Sequence, residues 1–301
     1  QVLQKNRRKR GAMEFETVET QMIFDDNGKI ERIEEVHRND AHKLIEECML
    51  AANVCAADFL LRHQHKALYR NHAGPTPEKL TVLREQLALL GLRLGGGDKP
   101  EPKHYGKLAE QIAERPDREA LQSMLLRSMQ QAVYEAENEG HFGLAYDYYT
   151  HFTSPIRRYP DTMVHRLLTR YAAGGRSANK EHYEELCEHS SEMEQIAQNA
   201  ERDSIKYKMV EFMADKLGEE FDAHISGIAS YGIYCEIDEN HCEGMVPMRD
   251  LDDDYYDFDE RNYCLVGRRR HRKYQLGDPI RIQVARVDQE KRQLDFTVVD
   301  K

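Results

Sequence analysis

Hydrophobic and polar positions change their period along this chain, and each change marks an expected element. A short helical lead ends at Gly11. Residues 13–24 (MEFETVETQMIF) read as a strand, Asp26-Asn27-Gly28 as a hairpin turn and residues 30–36 as the return strand. Asn39-Asp40 offers an N-cap. In the helix that follows, Leu44, Cys48, Ala52, Cys55 and Phe59 recur at steps of three or four, which predicts one buried stripe, with Glu47, Ala51, Val54 and Asp58 beside it. NHAGPTP breaks the chain at 71–77 and a second helix is expected over about 77–91. Gly95, Gly96 and Gly97 with Pro100 and Pro102 read as a loop; no strand precedes them and no Gly-Lys-Ser/Thr follows, so no phosphate cradle is assigned. A third helix follows Asp117 with Leu121, Leu125, Met129, Ala132 and Val133 as its apolar face. Residues 140–160 are aromatic and irregular. Pro160 and Asp161 then open a helix through Tyr171, stopped at Gly174-Gly175, and a long unbroken helix runs from about 181 to 217.

Beyond Gly218 the period becomes two. FDAHISGI, YGIYCEI, GMVPM, PIRIQVARV and QLDFTVV, separated by turn residues, predict a small closed barrel of five strands. The expected fold class is therefore α+β, with a helix-rich part over residues 1–217 and an OB-type barrel over 218–301. No internal repeat is evident.

Composition narrows the function classes. The 43 Lys and Arg against 54 Asp and Glu give a formal charge of −11. That excludes a histone-like or tail-driven nucleic-acid binder but leaves room for a basic groove in an acidic body. No apolar run approaches the roughly 18 residues needed to span a bilayer, so no membrane partner is expected. The six cysteines show neither a CxxC pair nor zinc spacing and read as reduced thiols of a cytoplasmic protein, several of them small core residues. The first residues, QVLQKNRRKRGAMEF, lack an apolar signal core, a cleavage site and an initiator Met, and read as the middle of something larger. Among 14 histidines there is no HExxH; His63, His65 and His72 are not assigned to metal, and His141 and His151 either orient a neighbouring loop or are structural. The acidic run Asp252, Asp253, Asp254, Asp257, Asp259 and Glu260 lacks the glycine and terminal Glu of a calcium loop and is read as a solvated insertion in the barrel.

The densest chemistry is HFTSPIRRYPD at 151–161. Arg157 and Arg158 stand just before a helix start, where guanidinium forks and exposed N–H groups make a phosphate site. Tyr148, Tyr149, Phe152 and Tyr159 are candidates for stacking on bases or ribose. The competing reading pairs the arginines with carboxylates across a seam and buries the aromatics.

The run HFGLAYDYYTHFTSPIRRYPDTMVHR closely resembles the signature of the ribonuclease II/ribonuclease R (RNB) family of exoribonucleases, nearest its bacterial ribonuclease R branch. RNDAHKLIEECMLAAN and NAERDSIKYKMVEF resemble flanking segments of that family, and the barrel resembles its S1 RNA-binding domain. The resemblance covers essentially the whole chain as the C-terminal half of the catalytic domain plus S1. It implies processive 3′-to-5′ hydrolysis of RNA to nucleoside 5′-monophosphates. By motif, Arg157 is the arginine on the scissile phosphate, and Arg158 a second phosphate contact or a structural pair. Glu47, or Glu46 if the match is off by one, reads the terminal ribose, and Glu201 packs against nucleotides in the channel. In the barrel, Tyr231 and Tyr234 are stacking candidates, Phe221 is either a stacking face or core, and Arg249 is a candidate phosphate contact beside Pro247, which replaces the customary histidine. The basic run 268–273, including Arg269, either touches RNA or neutralises the acidic run.

The same resemblance implies a Mg2+ cofactor held by a cluster of closely spaced aspartates. No DxxxxxDxD segment precedes residue 150, and Asp25-Asp26 sits in a turn, so no metal ligand is assigned in this chain. The chain is therefore expected to be part of a longer enzyme and inactive by itself. Implied partners are single-stranded RNA or RNA with a 3′ overhang, bound by a monomer, with the ribosome or RNA-decay factors as docking candidates. The alternative is a non-catalytic RNA-binding or partner-binding module of the same fold.

Overall fold

The computed structural model describes residues 2–13, 19–63, 67–115, 117–259 and 263–299. Residues 14–18 of the expected first strand, His65 and Glu260 lie outside the described residues. The class is α+β, as the two sequence periods require.

Helix α1 (Val2–Arg10) carries four bases in its last turn and stops at Gly11. The hairpin β1 (Thr20–Phe24) and β2 (Ile30–Glu35) follows, paired antiparallel. Helix α2 (Asp40–Arg62) is opened by Asn39, whose side chain accepts from the His42 N–H at 3.0 Å. Its buried face is Glu47, Leu50, Asn53, Ala56, Ala57 and Leu60. The expected stripe is thus turned by about one residue, 100° of helix: Leu44 is 57% exposed, and Cys48 and Cys55 face solvent. Both stripes fit helical spacing. Packing chose the one containing Glu47 and Asn53 because both polar side chains find partners inside. Cys187, Cys235, Cys242 and Cys264 are the buried thiols.

Strand β3 (Tyr69–Asn71) leads to three packed helices, α3 (Pro77–Leu89), α4 (Pro102–Ile112) and α5 (Arg118–Ser128). Leu80, Leu83, Leu87, Tyr105, Leu108, Ile112, Leu121 and Leu125 form their core. The loop expected around Pro102 is instead the start of α4, since proline at the first turn loses no helical hydrogen bond and pre-sets φ. Helix α5 ends at Ser128, so Ala132 and Val133 are not on its face. Val133 opens β4 (Val133–Glu135), which pairs with β3 and sets Tyr134 opposite Arg70. Helix α6 (Tyr159–Ala172) and the 35-residue α7 (Lys180–Ala214) complete this part. At 1.5 Å per residue α7 is about 50 Å long. Its Cys187 lies in the core shared with α2 and α6, while Val210 and Met213 lie in the barrel core.

The barrel uses β5 (Glu220–Ala229), β6 (Gly232–Ile237) and β7 (Glu243–Pro247), then an insertion of β8 (Tyr256–Asp259), β9 (Cys264–Gly267) and β10 (Lys273–Tyr274), then β11 (Pro279–Asp288) and β12 (Gln293–Val298). It closes in the order β11-β12-β7-β6-β5. Phe221, Ala223 and Ile225 alternate inward with Ile280, Ile282, Val284, Leu294 and Phe296. The acidic insertion is not simply solvated: its three strands form their own sheet, with Tyr256, Leu265 and Tyr274 buried against the barrel. Ile33 of β2 joins the same core, so the N-terminal hairpin packs on the barrel.

Gly244 is a tight point of this core. A Cβ there would lie 2.5 Å from Phe296 Cε2 and 2.9 Å from Leu294 Cβ. Gly244→Ala is expected to lower stability by about 2 kcal/mol, within the usual cost of overpacking. Urea unfolding followed by circular dichroism reads this, and an unchanged midpoint would contradict the packing described.

Candidate nucleic-acid interface

The arginine motif folds as a turn over 155–157 at the N-terminus of α6. Its anchor is Asp161, which is fully buried. Asp161 Oδ1 accepts from the Ser154 N–H at 2.7 Å and from Arg158 Nη2 at 2.9 Å. Thr162 Oγ1 donates to the Pro155 carbonyl at 2.8 Å. Arg158 is therefore bound into the loop, whereas Arg157 is exposed and makes no ion pair among the described residues. Tyr159 follows at the helix start, with half its surface exposed.

Beneath the turn, α2 supplies Asn53. Its Nδ2 donates to the Tyr149 hydroxyl at 2.8 Å and its Oδ1 accepts from the Phe152 N–H at 2.9 Å. The Phe152 ring stacks on His165 with centroids 4.2 Å apart, so one of its faces is covered. Tyr149 is buried and belongs to the scaffold. Arg70 of β3 forks onto Glu194 of α7 at 2.6 and 3.1 Å and lies over the Tyr134 ring. Tyr134 in turn shares a 2.8 Å hydrogen bond with His151 Nδ1.

Burial, then the positive charges of Arg158 and Arg70, push the His151 pKa down to about 2. Burial and the neighbouring His72 push His141 down to about 3. Both rings are therefore neutral at physiological pH. Burial also raises the Tyr134 phenol to about 12. His72 uses both ring nitrogens on backbone, toward the Gln130 carbonyl and the Gly143 N–H.

At the other end of the buried α2 face, Glu47 is 7% exposed. Arg7 Nη1 of α1 donates to Glu47 Oε1 at 2.8 Å and to Glu46 Oε1 at 2.9 Å. Glu46 is committed on both oxygens, because Arg38 Nη2 reaches its Oε2 at 2.9 Å. Arg10 lies 3.8 Å over the Tyr146 ring, which stacks parallel on Tyr149 at 5.9 Å. An aromatic pair thus connects the Glu47 end to the arginine loop. Glu201 is exposed on α7, two residues before Asp203, which pairs with Arg292 of the barrel at 2.8 Å.

On the barrel, Tyr231 is 58% exposed and meets Tyr234 edge-on, their hydroxyls 3.0 Å apart. That hydrogen bond, then burial, raises the Tyr234 phenol to about 12. Phe221 and Pro247 are buried, and Arg249 projects into solvent beside Asp250. Within the basic run, Arg268 forks onto Asp257 at 2.7 Å and Arg272 reaches Asp253 at 3.3 Å. The Asp254 carboxylate accepts the backbone N–H groups of Arg269 and Arg270. The Arg269 guanidinium sits 5.3 Å over the exposed Tyr255 ring. Much of this basic run therefore serves its acidic neighbour.

Sequence reasoning missed Arg7, Arg10, Asn53, Arg70 and Glu194 as parts of the site, and read Asp161 only as a helix opener within the arginine motif. The one available signal was the pair of polar residues, Glu47 and Asn53, on a face that helical spacing allows to be buried. Among the described residues, no group of three or more His, Cys, Asp or Glu side chains is arranged to hold a metal ion, and no helix is long and apolar enough to cross a membrane.

The depressed histidines set an acid response. An unfolded histidine protonates near 6.5, whereas His141 and His151 resist protonation until about pH 3 and 2. The unfolded chain therefore binds more protons, and stability falls as pH drops below 6.5. The urea midpoint is expected to decline between pH 7 and 5, and His151→Asn to flatten that slope. Equal slopes in the two proteins would contradict a neutral, half-buried His151.

An RNB domain family model matches residues 1–174 and an S1 RNA binding domain model residues 214–298, leaving most of α7 between them. The chain is 44% identical to ribonuclease R of Escherichia coli (strain K12), over 99% of this chain and 38% of that protein. It is also 44% identical to ribonuclease R of Vibrio cholerae, over 100% of this chain and 38% of that protein. Among solved structures, Mycoplasma genitalium RNase R in complex with ribose methylated single-stranded RNA matches with a TM-score of 0.93 at 27% identity, covering 99% of this chain and 48% of that one. The chain thus spans less than half the length of these relatives.

Proposed function

The chain belongs to the RNB family and carries an S1 domain, and from that premise we propose that it is the RNA-channel and S1 portion of a cytoplasmic, ribonuclease R-like exoribonuclease. The reaction is processive 3′-to-5′ hydrolysis of RNA to nucleoside 5′-monophosphates, on single-stranded RNA or RNA with a 3′ overhang, by a monomer. The observation that carries this reading is the division of labour in the arginine turn. Arg158 is tied to buried Asp161, and Arg157 is held out on a fastened loop at a helix N-terminus.

That placement suits transition-state stabilisation. A guanidinium held by its backbone rather than by a carboxylate keeps its N–H fork for phosphate oxygens. Its contribution grows as negative charge builds on those oxygens, and a preorganised loop has little to rearrange when it does. Tyr159 offers an exposed ring for a neighbouring base or ribose, while Glu47 accepts from a ribose hydroxyl. Glu201 flanks the strand along α7. Tyr231 and Tyr234, with Arg249 and Arg269, hold more distant RNA on the barrel by stacking and phosphate contact.

RNB chemistry implies a divalent metal, here Mg2+, but the described residues do not fit one, since no clustered donors are present. Carboxylates other than these would have to hold it. Hydrolysis by residues 1–301 alone is therefore not expected. The same donor set favours, as second reading, a non-catalytic RNA-binding module.

Two measurements separate these readings. Residues 1–301 are expected to bind a fluorescent single-stranded RNA with affinity that falls steeply with salt, and Tyr231→Ala to weaken binding about tenfold, the scale of one stacked base. Unchanged affinity in Tyr231→Ala would remove the stacking role. In an enzyme containing the whole catalytic domain, Arg157→Ala is expected to cut turnover by about 10²–10³ with binding nearly kept. Lost binding with unchanged turnover would sink the assignment, and magnesium-dependent release of monophosphates by residues 1–301 alone would show that the donor set had been misjudged.

A further inference from the structure

Helix α1 reaches α2 through Arg7, which brings one guanidinium to two adjacent carboxylates. Arg7 Nη1 donates to Glu46 Oε1 and Glu47 Oε1 at 2.9 and 2.8 Å, and the Arg7 side chain is only 14% exposed. Glu46 has no oxygen left, because Arg38 holds the other one. Glu47 differs: its Oε2 takes no hydrogen bond among the described residues. A carboxylate oxygen has two lone-pair directions, and an ionised carboxylate with one oxygen fixed has its second oxygen fixed in direction as well. Without Arg7, Glu46 would keep Arg38 but Glu47 would be a largely buried carboxylate without a cation, which disfavours an ordered anion there.

The same helix fastens this end of the site to the arginine turn. Arg10 donates from Nε to the Leu144 carbonyl at 2.8 Å and covers Tyr146. Tyr146 stacks on Tyr149, and Tyr149 accepts from Asn53, which holds the Phe152 N–H. Glu47 and Asn53 share the buried face of α2 about 9 Å apart along its axis. We infer that Arg7 is a positioning residue for sugar recognition: by clamping Oε1 of Glu47 it aims Oε2 at the 2′-hydroxyl of a bound nucleotide and so sets the preference for ribose over deoxyribose. This rests on the reading of the chain as an RNA channel and adds a residue on another helix that governs its selectivity.

Competition binding to residues 1–301 tests it, using a single-stranded RNA oligomer that ends in ribose against the same oligomer with one 2′-deoxynucleotide at its 3′ end. The intact chain is expected to favour the ribose end about tenfold, the scale of one hydrogen bond to a charged acceptor. Arg7→Gln is expected to bring the two oligomers close to parity. Arg7→Met, which keeps the packing of the side-chain stem, does the same where the glutamine variant fails to fold. Arg7→Lys, retaining charge and a donor, is expected to keep most of the preference. Arg8→Gln removes an equal charge from an exposed neighbour on α1 and is expected to leave the preference intact, which separates aim from general electrostatics. A full ribose preference in Arg7→Gln or Arg7→Met, or RNA binding by the intact chain without any preference, overturns the inference while leaving the RNA-channel reading in place. No RNA binding at all overturns both.

Discussion

A carboxylate removed from water must be paired, and in this protein that requirement falls on Asp161. Its Oδ1 holds the Ser154 N–H and the Arg158 guanidinium at the same point. Loss of Arg158 would leave the Asp161 charge uncompensated in a place where solvation cannot repair it. The loop is therefore over-determined on its inner side, and the consequence appears on its outer side. With Arg158 committed, Arg157 is the arginine left to meet a ligand. Asn53 repeats the arrangement one layer deeper, using one amide to fix both a tyrosine hydroxyl and a loop N–H.

Charge explains how an acidic chain can present an RNA-binding surface. Many bases are already paired with carboxylates: Arg268 and Arg272 with Asp257 and Asp253 at the surface, and Arg70 with Glu194 and Arg7 with Glu46 and Glu47 in largely buried positions. The net charge of −11 thus says little about local potential. Arg157, Arg249 and the Arg269–Tyr255 stack are among the points where positive charge reaches solvent. The two parts of the molecule are joined by shared packing rather than by a hinge alone. Helix α7 contributes to the α2–α6 core at one end and to the barrel core at the other, while Ile33 of the N-terminal hairpin lies in the barrel core.

The sequence made the barrel strands legible because one buried face gives a strict alternation that slipping by one residue would invert. It also made α6 and α7 legible through caps and the absence of breakers. It failed where two answers obey the same local rule. On α2, stripes containing Cys48 and Cys55 or Glu47 and Asn53 are equally helical, and Pro102 marks either a break or a first turn. Val133 fits the end of a helix face as well as a short strand, and only its pairing with Asn71 decides. The charged insertion resembled a solvated loop because its ion pairs are distant in sequence and the tyrosines that bury it are few.

The chain's composition and local order determined the α+β class, the closed barrel and the motif that carries Arg157, because these depend on periodicity and near neighbours. The tertiary structure alone decided which arginine is spent and which is offered, and which of two adjacent glutamates keeps an oxygen open. Those outcomes depend on partners about 40 residues away, as Arg7 is from Glu47, or on depth, as for Asp161. Burial changes the cost of an unpaired charge by far more than any local propensity, so the final assignment of charges belongs to the folded interior.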